Sequence, residues 1–118
     1  MQPEERDAAL LWDILNACRE IQQFVQHCTY NAFEQDKILR YAVERQILVI
    51  GEASRKLSDT LKSAHPEIPW NAIIAQRNII AHEYGEVLVE RVWRVAKERI
   101  PDLIPHIESL LPDSPEVI

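Results

Sequence analysis

The chain has 118 residues, of which 47% are apolar and 27% charged, and a formal net charge of −6. That is the length of one domain with the balance of a globular protein, large enough to bury a core without metal or disulfide staples. The composition argues against a membrane-spanning helix, since no apolar run nears the roughly 20 residues of a span, and the acidity argues against broad binding to a nucleic-acid backbone. Any chemistry on such a polymer would have to come from a few placed residues.

In chain order, residues 7–28 predict a first helix. Leu10, Ile14, Cys18, Ile21 and Val25 recur at spacings of four and three, and Leu11, Leu15 and Phe24 widen the stripe. Asp7 or a neighbour is expected to cap its start, and Glu4, Glu5 and Asp7 suit the positive end of its dipole. Residues 29–33 read as a connector, because Thr and Asn favour turns over helix interiors. A second long helix is expected over 34–57, with Leu39, Val43, Ile47, Ile50 and Leu57 in one seam. Ile38, Ala42, Leu48 and Val49 make it apolar elsewhere as well, the mark of a central helix or one that touches another chain. Gly51 inside it costs about 1 kcal/mol relative to Ala and so marks close packing against a neighbour.

The run His65-Pro66-Glu67-Ile68-Pro69-Trp70 breaks the pattern, since two prolines three apart fix an extended turn. A third helix is expected over 70–83, with Ile73, Ile74, Ile80 and Ala81 inward and Gly85 as its stop. A fourth over 87–98 uses Leu88, Val92 and Val95, with Trp93 beside them. Pro101 suits the first turn of a short fifth, carrying Leu103, Ile104, Ile107, Leu110 and Leu111. Residues 112–118 read as a frayed tail. The expectation is a single all-α domain, core about 5–111, folded as an up-and-down bundle of four to five helices.

Reactive side chains are densest in Gln76-Arg77-Asn78-Ile79-Ile80-Ala81-His82-Glu83-Tyr84-Gly85. Asn78 and His82, four apart, share a helix face, so the amide can hold an imidazole nitrogen and set its tautomer. Arg77 and His82 are five apart, about 140° around an ideal helix, and from one straight helix aim poorly at one phosphate. They converge if the helix unwinds near His82, or if two such helices meet across a two-fold axis. These residue types suit RNA phosphodiester cleavage. Imidazole can take the proton of the attacking 2′-hydroxyl or protonate the departing 5′-oxygen, while Arg77 grips the nonbridging oxygens. Tyr84 can bond phosphate or stack on a base.

The other candidates read as structural. His27, His65, His82 and His106 share no ligand spacing, so neither metal nor cofactor is expected. His27 suits a cap at the end of the first helix. Cys18 and Cys28 are too few for a disulfide framework, fit apolar stripes or their ends, and suit a reducing cytosol; the acidic stretch 1–7 is unlike a signal peptide. A cytoplasmic location is expected. Glu52 suits a solvated or salt-bridged carboxylate, and Trp12, Trp70 and Trp93 suit the core or a dimer seam. Arg91, Arg94, Lys97 and Arg99 suit a solvated face.

The run from Arg77 to Tyr84 resembles the Arg-x4-His-x-Tyr signature of HepT-type proteins in the HEPN superfamily. The Gly51-Glu52-Ala53 helix, the Pro66-to-Trp70 turn and the late Trp93 helix are similar in order, so the likeness spans about residues 5–111. It implies a homodimeric helical bundle with both motif helices lining one cleft. It also implies a metal-independent endoribonuclease acting as the toxin of a toxin–antitoxin module. By position, Arg77 and His82 would be catalytic and Asn78 supporting. The implied partner is a MntA-like minimal nucleotidyltransferase that transfers AMP to the motif tyrosine, here Tyr84. Two other readings remain open: a non-catalytic subunit presenting substrate or itself to a separate nucleotidyltransferase, and a plain helical dimerisation module.

Overall fold

A computed structural model describes residues 4–82 and 85–112, and all the regular structure in them is helical. Helix α1 is Glu5–Val25, α2 Tyr30–Gln35, α3 Lys37–Lys56, α4 Asp59–Ala64, α5 Trp70–His82, α6 Gly85–Arg94 and α7 Ile100–Leu110; a π-helical turn, Val95–Arg99, joins the last two. α1 and α3 form the central pair. α5 packs on the other side of α3, and α7 returns along α1. No helix among the described residues is long and apolar enough to cross a membrane.

The predicted stripes are the faces that meet. Leu11, Ile14, Leu15, Cys18, Ile21 and Val25 of α1 are buried, as are Val43, Ile47 and Ile50 of α3 and Leu57 just past its end. They form one core with Val92, Ile100 and Ile107. Truncating any of the fully buried Leu or Ile side chains to Ala costs about 2–5 kcal/mol.

The boundaries correct the sequence expectation at three places. The first helix stops at Val25 rather than at residue 28, because His27 takes φ 62° and turns the chain, with the Cys28 N–H on the Val25 carbonyl at 3.0 Å. Residues 29–33 are not a plain connector. Thr29 accepts from the Ala32 N–H at 3.1 Å and so caps α2, and Phe33 anchors that short helix in the core. The second long helix then starts at Lys37 rather than 34, because Asp36 leaves helical geometry to accept from the Leu39 N–H at 3.0 Å. Both polar residues act where their side chains replace missing helix bonds, at caps.

Asp7 does not cap its own helix. It is 5% exposed, and its carboxylate reaches across to α4, accepting from the Ser58 N–H at 2.9 Å and the Ser58 hydroxyl at 2.6 Å. Ser58 in turn accepts from the Leu61 N–H at 3.1 Å, which starts α4 in a stretch the apolar periodicity left unassigned. A six-residue helix is too short to hold itself, so this cap fastens it.

The α6–α7 segment is one continuous rod where two helices were expected. Its ladder widens at Val95–Arg99, and the Ile100 N–H bonds the Val95 carbonyl, five residues back. That extra width lets Pro101 enter without its ring striking the preceding turn, and Pro105 follows inside the helix. Ala81, expected inward, stands exposed.

Two outcomes follow from this packing. Asp7→Ala removes two charge-assisted bonds and leaves the Ser58 donors unpaired, so urea unfolding should show a loss of about 2–3 kcal/mol. Burial pushes the Cys18 thiol up to about 12, whereas Cys28 is half-buried. Iodoacetamide at neutral pH should therefore label the native protein at Cys28 alone, with Cys18 reacting only after denaturation, as read by peptide mass.

Candidate functional site

α5 begins where the proline turn releases the chain. The Trp70 indole N–H donates to the His65 carbonyl at 3.1 Å, and the Ile73 N–H takes up the Pro69 carbonyl at 3.0 Å. From there α5 crosses α3 at Gly51. A Cβ at residue 51 would stand 3.1 Å from the Arg77 Cβ and 3.5 Å from the Ile73 carbonyl oxygen, so the absent methyl is what lets the two helices touch. The close packing expected of Gly51 is therefore packing against the root of Arg77.

Arg77 leaves this contact into an open groove of ≈ 420 Å³, shared with Asp13, Arg45, Glu52 and Lys56 and floored by Leu48 and Val49. Its Nε lies 3.4 Å from Glu52 Oε2. Arg55 donates to both oxygens of the same carboxylate, Oε1 at 2.7 Å and Oε2 at 3.5 Å, and Lys56 lies 3.8 Å from Oε1. The Arg55 hydrogen bond outweighs partial desolvation and, with the charges of Arg55, Arg77 and Lys56, holds the Glu52 carboxyl below its usual range. Glu52 is thus the salt-bridged carboxylate expected of it, and one of its partners is Arg77. Reading the helix period alone could not find this pairing, since it joins two helices; the Gly51-Glu52 step was the available signal.

Asn78 and His82 stand exposed one turn apart at the end of α5, and among the described residues no hydrogen bond joins them. Each can be served by solvent, so the expected amide–imidazole bond is not needed to satisfy either. α5 stays helical through His82, so unwinding before that residue does not swing it toward Arg77. Gly85, with φ +70°, supplies the left-handed turn into α6, a geometry costly for other residues. Tyr84, the expected modification site, lies outside the described residues, as do Glu83 and the tail beyond residue 112.

The remaining candidates are structural. Trp70 is buried. Trp93 packs edge-on against Tyr30 at 5.8 Å and tilted on Phe33 at 5.1 Å, with the Lys97 ammonium 5.2 Å from its ring centre. Lys97 also donates to the Val25 carbonyl at 3.4 Å, and Arg94 lies 3.8 Å from Glu98, so half of the basic stretch is occupied within the chain. No group of three or more His, Cys, Asp or Glu among the described residues is arranged to hold a metal. A second cavity, ≈ 250 Å³ and mostly apolar, lies between α3, α5 and α7; Gln76 lines it, its Oε1 buried without a hydrogen-bond partner among the described residues.

An all-α bundle that brings an Arg-x4-His helix against a glycine of its central helix defines a class of protein, and comparison with known proteins narrows it. A family model described as ribonuclease HepT-like matches residues 14–110. The chain belongs to that family and so to the ribonucleases. It is 37% identical over 100 residues to "Probable ribonuclease HepT" of Thermococcus cleftensis, covering 85% of this chain and 91% of that one. It is 34% identical over 100 residues to "Putative RNase MJ1380" of Methanocaldococcus jannaschii, covering 85% and 92%. No solved structure matches it.

The Gly51 contact can be checked directly. Gly51→Ala improves helix propensity by about 1 kcal/mol, yet forces α5 outward against the rigid Arg77 Cβ at an overpacking cost of about 1–3 kcal/mol. Thermal melting should show a net loss, with a lowered midpoint.

Proposed function

We propose that the protein is a metal-independent endoribonuclease in which Arg77 and His82 are catalytic and Asn78 supports them. The observation that carries this reading is Arg77 itself. In a chain of a ribonuclease family, its guanidinium enters an open groove and donates no hydrogen bond to any described residue, its nearest carboxylate contact being Nε to Glu52 Oε2 at 3.4 Å. The terminal nitrogens can grip two nonbridging oxygens of one phosphate. The 2′-hydroxyl then attacks phosphorus, an imidazole takes its proton, and a second imidazole protonates the departing 5′-oxygen, giving a cyclic phosphate and a free 5′-hydroxyl. Arg77 neutralises the charge gathered on phosphorus in between.

The reading takes the working unit as a homodimer. Arg77 and His82 diverge around a regular α5, so a second copy is the remaining way for them to share a phosphate. The surface supports pairing: α5 buries only Trp70 and Ile80 of its described residues while Ala72, Ala75 and Ala81 are exposed, and α3 leaves Ile38 82% and Tyr41 58% exposed. In the same reading the enzyme is the cytoplasmic toxin of a toxin–antitoxin module. Its antitoxin is a minimal nucleotidyltransferase of the MntA type. That partner would transfer AMP from ATP to the Tyr84 phenol with release of pyrophosphate. The adduct would add bulk and negative charge to the motif segment and so repel an RNA phosphate.

The test is cleavage of RNA by purified, unmodified protein in EDTA. Full activity is expected with chelator present. Arg77→Ala and His82→Ala should each lose about 100-fold or more while remaining folded and dimeric by light scattering. Equal digestion by wild type and His82→Ala removes the catalytic assignment. Inactivity of a protein free of any AMP adduct returns the chain to a non-catalytic binding role.

A further inference from the structure

We propose that Glu52 is a positioning residue for Arg77: its carboxylate holds the guanidinium by Nε and reserves the Nη1 and Nη2 end for a substrate phosphate. The inference rests on the ribonuclease reading above.

Three observations carry it. The first is that Glu52 is itself held. Arg55, one turn on along α3, donates to both carboxylate oxygens, Nη2 to Oε1 at 2.7 Å and Nε to Oε2 at 3.5 Å; Lys56 lies 3.8 Å from Oε1, and Arg77 Nε lies 3.4 Å from Oε2. A carboxylate already fixed by one guanidinium can locate a second, where a freely rotating one could not. The second is that the adjacent residue, Gly51, seats the Arg77 Cβ. The dipeptide therefore constrains the side chain at both ends of its flexible stem, at Cβ through shape and at Nε through charge. An arginine otherwise gives up much of its rotamer freedom when it is fixed. The third is that neither Nη1 nor Nη2 donates a hydrogen bond to any described residue, although Asp13 lines the same groove.

Electrostatics alone predicts the opposite role for Glu52. A negative charge beside a phosphate site repels the ligand, so deleting it should tighten binding and, if placement were irrelevant, speed cleavage. Positioning predicts slower cleavage, because misplacing a reacting group costs rate even where affinity is kept. The two roles therefore differ in sign.

The experiment measures single-turnover cleavage of a short RNA by wild type, Glu52→Gln, Arg77→Gln and the double variant. It also measures the affinity of each for the same RNA carrying 2′-O-methyl groups, which binds but lacks the attacking hydroxyl. Glu52→Gln is expected to cleave at least 10-fold more slowly, to bind the methylated RNA as tightly as wild type or more tightly, and to melt as wild type does, since the pair is on the surface. On the Arg77→Gln background the same change should have no further effect on the residual rate, because the group it positions is gone. Cleavage by Glu52→Gln at the wild-type rate or faster overturns the proposal, as does a full additive loss in the double variant. When wild type cleaves and His82→Ala does not, either result sinks this inference alone. Failure of wild type to cleave sinks the ribonuclease reading with it.

Discussion

The contact between Gly51 and the root of Arg77 is the constraint on which the rest of the site depends. α3 and α5 approach so closely there that a single methyl group would meet the Arg77 Cβ at 3.1 Å. Interiors packed to crystal-like density do not absorb such an intrusion without moving an element. The position of α5, the direction in which Arg77 emerges, and its distance from the next residue of α3 are therefore one geometric fact. An arginine on a loosely packed surface helix would sample the groove; this one enters it from a fixed point.

The electrostatics reconcile an acidic protein with a phosphate substrate. A net charge of −6 is spread over the whole chain, but a reacting phosphate feels what lies within a Debye length, about 8–10 Å at ordinary salt. Around the groove that neighbourhood is mixed: Arg45, Lys56 and Arg77 face Asp13 and Glu52. On the proposed reading, grip on RNA comes from placement more than from field strength, and binding of this kind loses less to added salt than that of a basic protein making many phosphate contacts. The chain spends its cations on local pairs, as Arg19 with Glu108 and Arg55 with Glu52 illustrate.

Much of the fold was legible because its main helices are amphipathic. The stripes of α1 and α3 name the residues that are buried, and the His65–Trp70 turn stands where the prolines put it. What the periodicity missed has a common cause: it depends on bonds between residues distant in sequence or on caps. α4 owes its start to Asp7, 51 residues away, and Thr29 and Asp36 act as caps to helices whose own apolar pattern is too short or too offset to announce them. For the site, the helix carrying Arg77, Asn78 and His82 could be read from one segment. The Glu52 pairing and the exposure of Ala81 could not, because both depend on where α5 lies against α3.

The widened turn at Val95–Arg99 has a consequence for the α6–α7 rod. Pro101 and Pro105 bring no N–H to the ladder, so the carbonyls one turn before them lose their rungs, and the turn itself trades ordinary α bonds for longer-reaching ones. The rod's continuity thus comes from Ile100, Leu103 and Ile107 lying against α1, not from its own backbone. Excised as a peptide it would be mostly coil. Within the protein, its amide protons should exchange with solvent soonest around the two prolines, where the backbone is least able to hold itself shut.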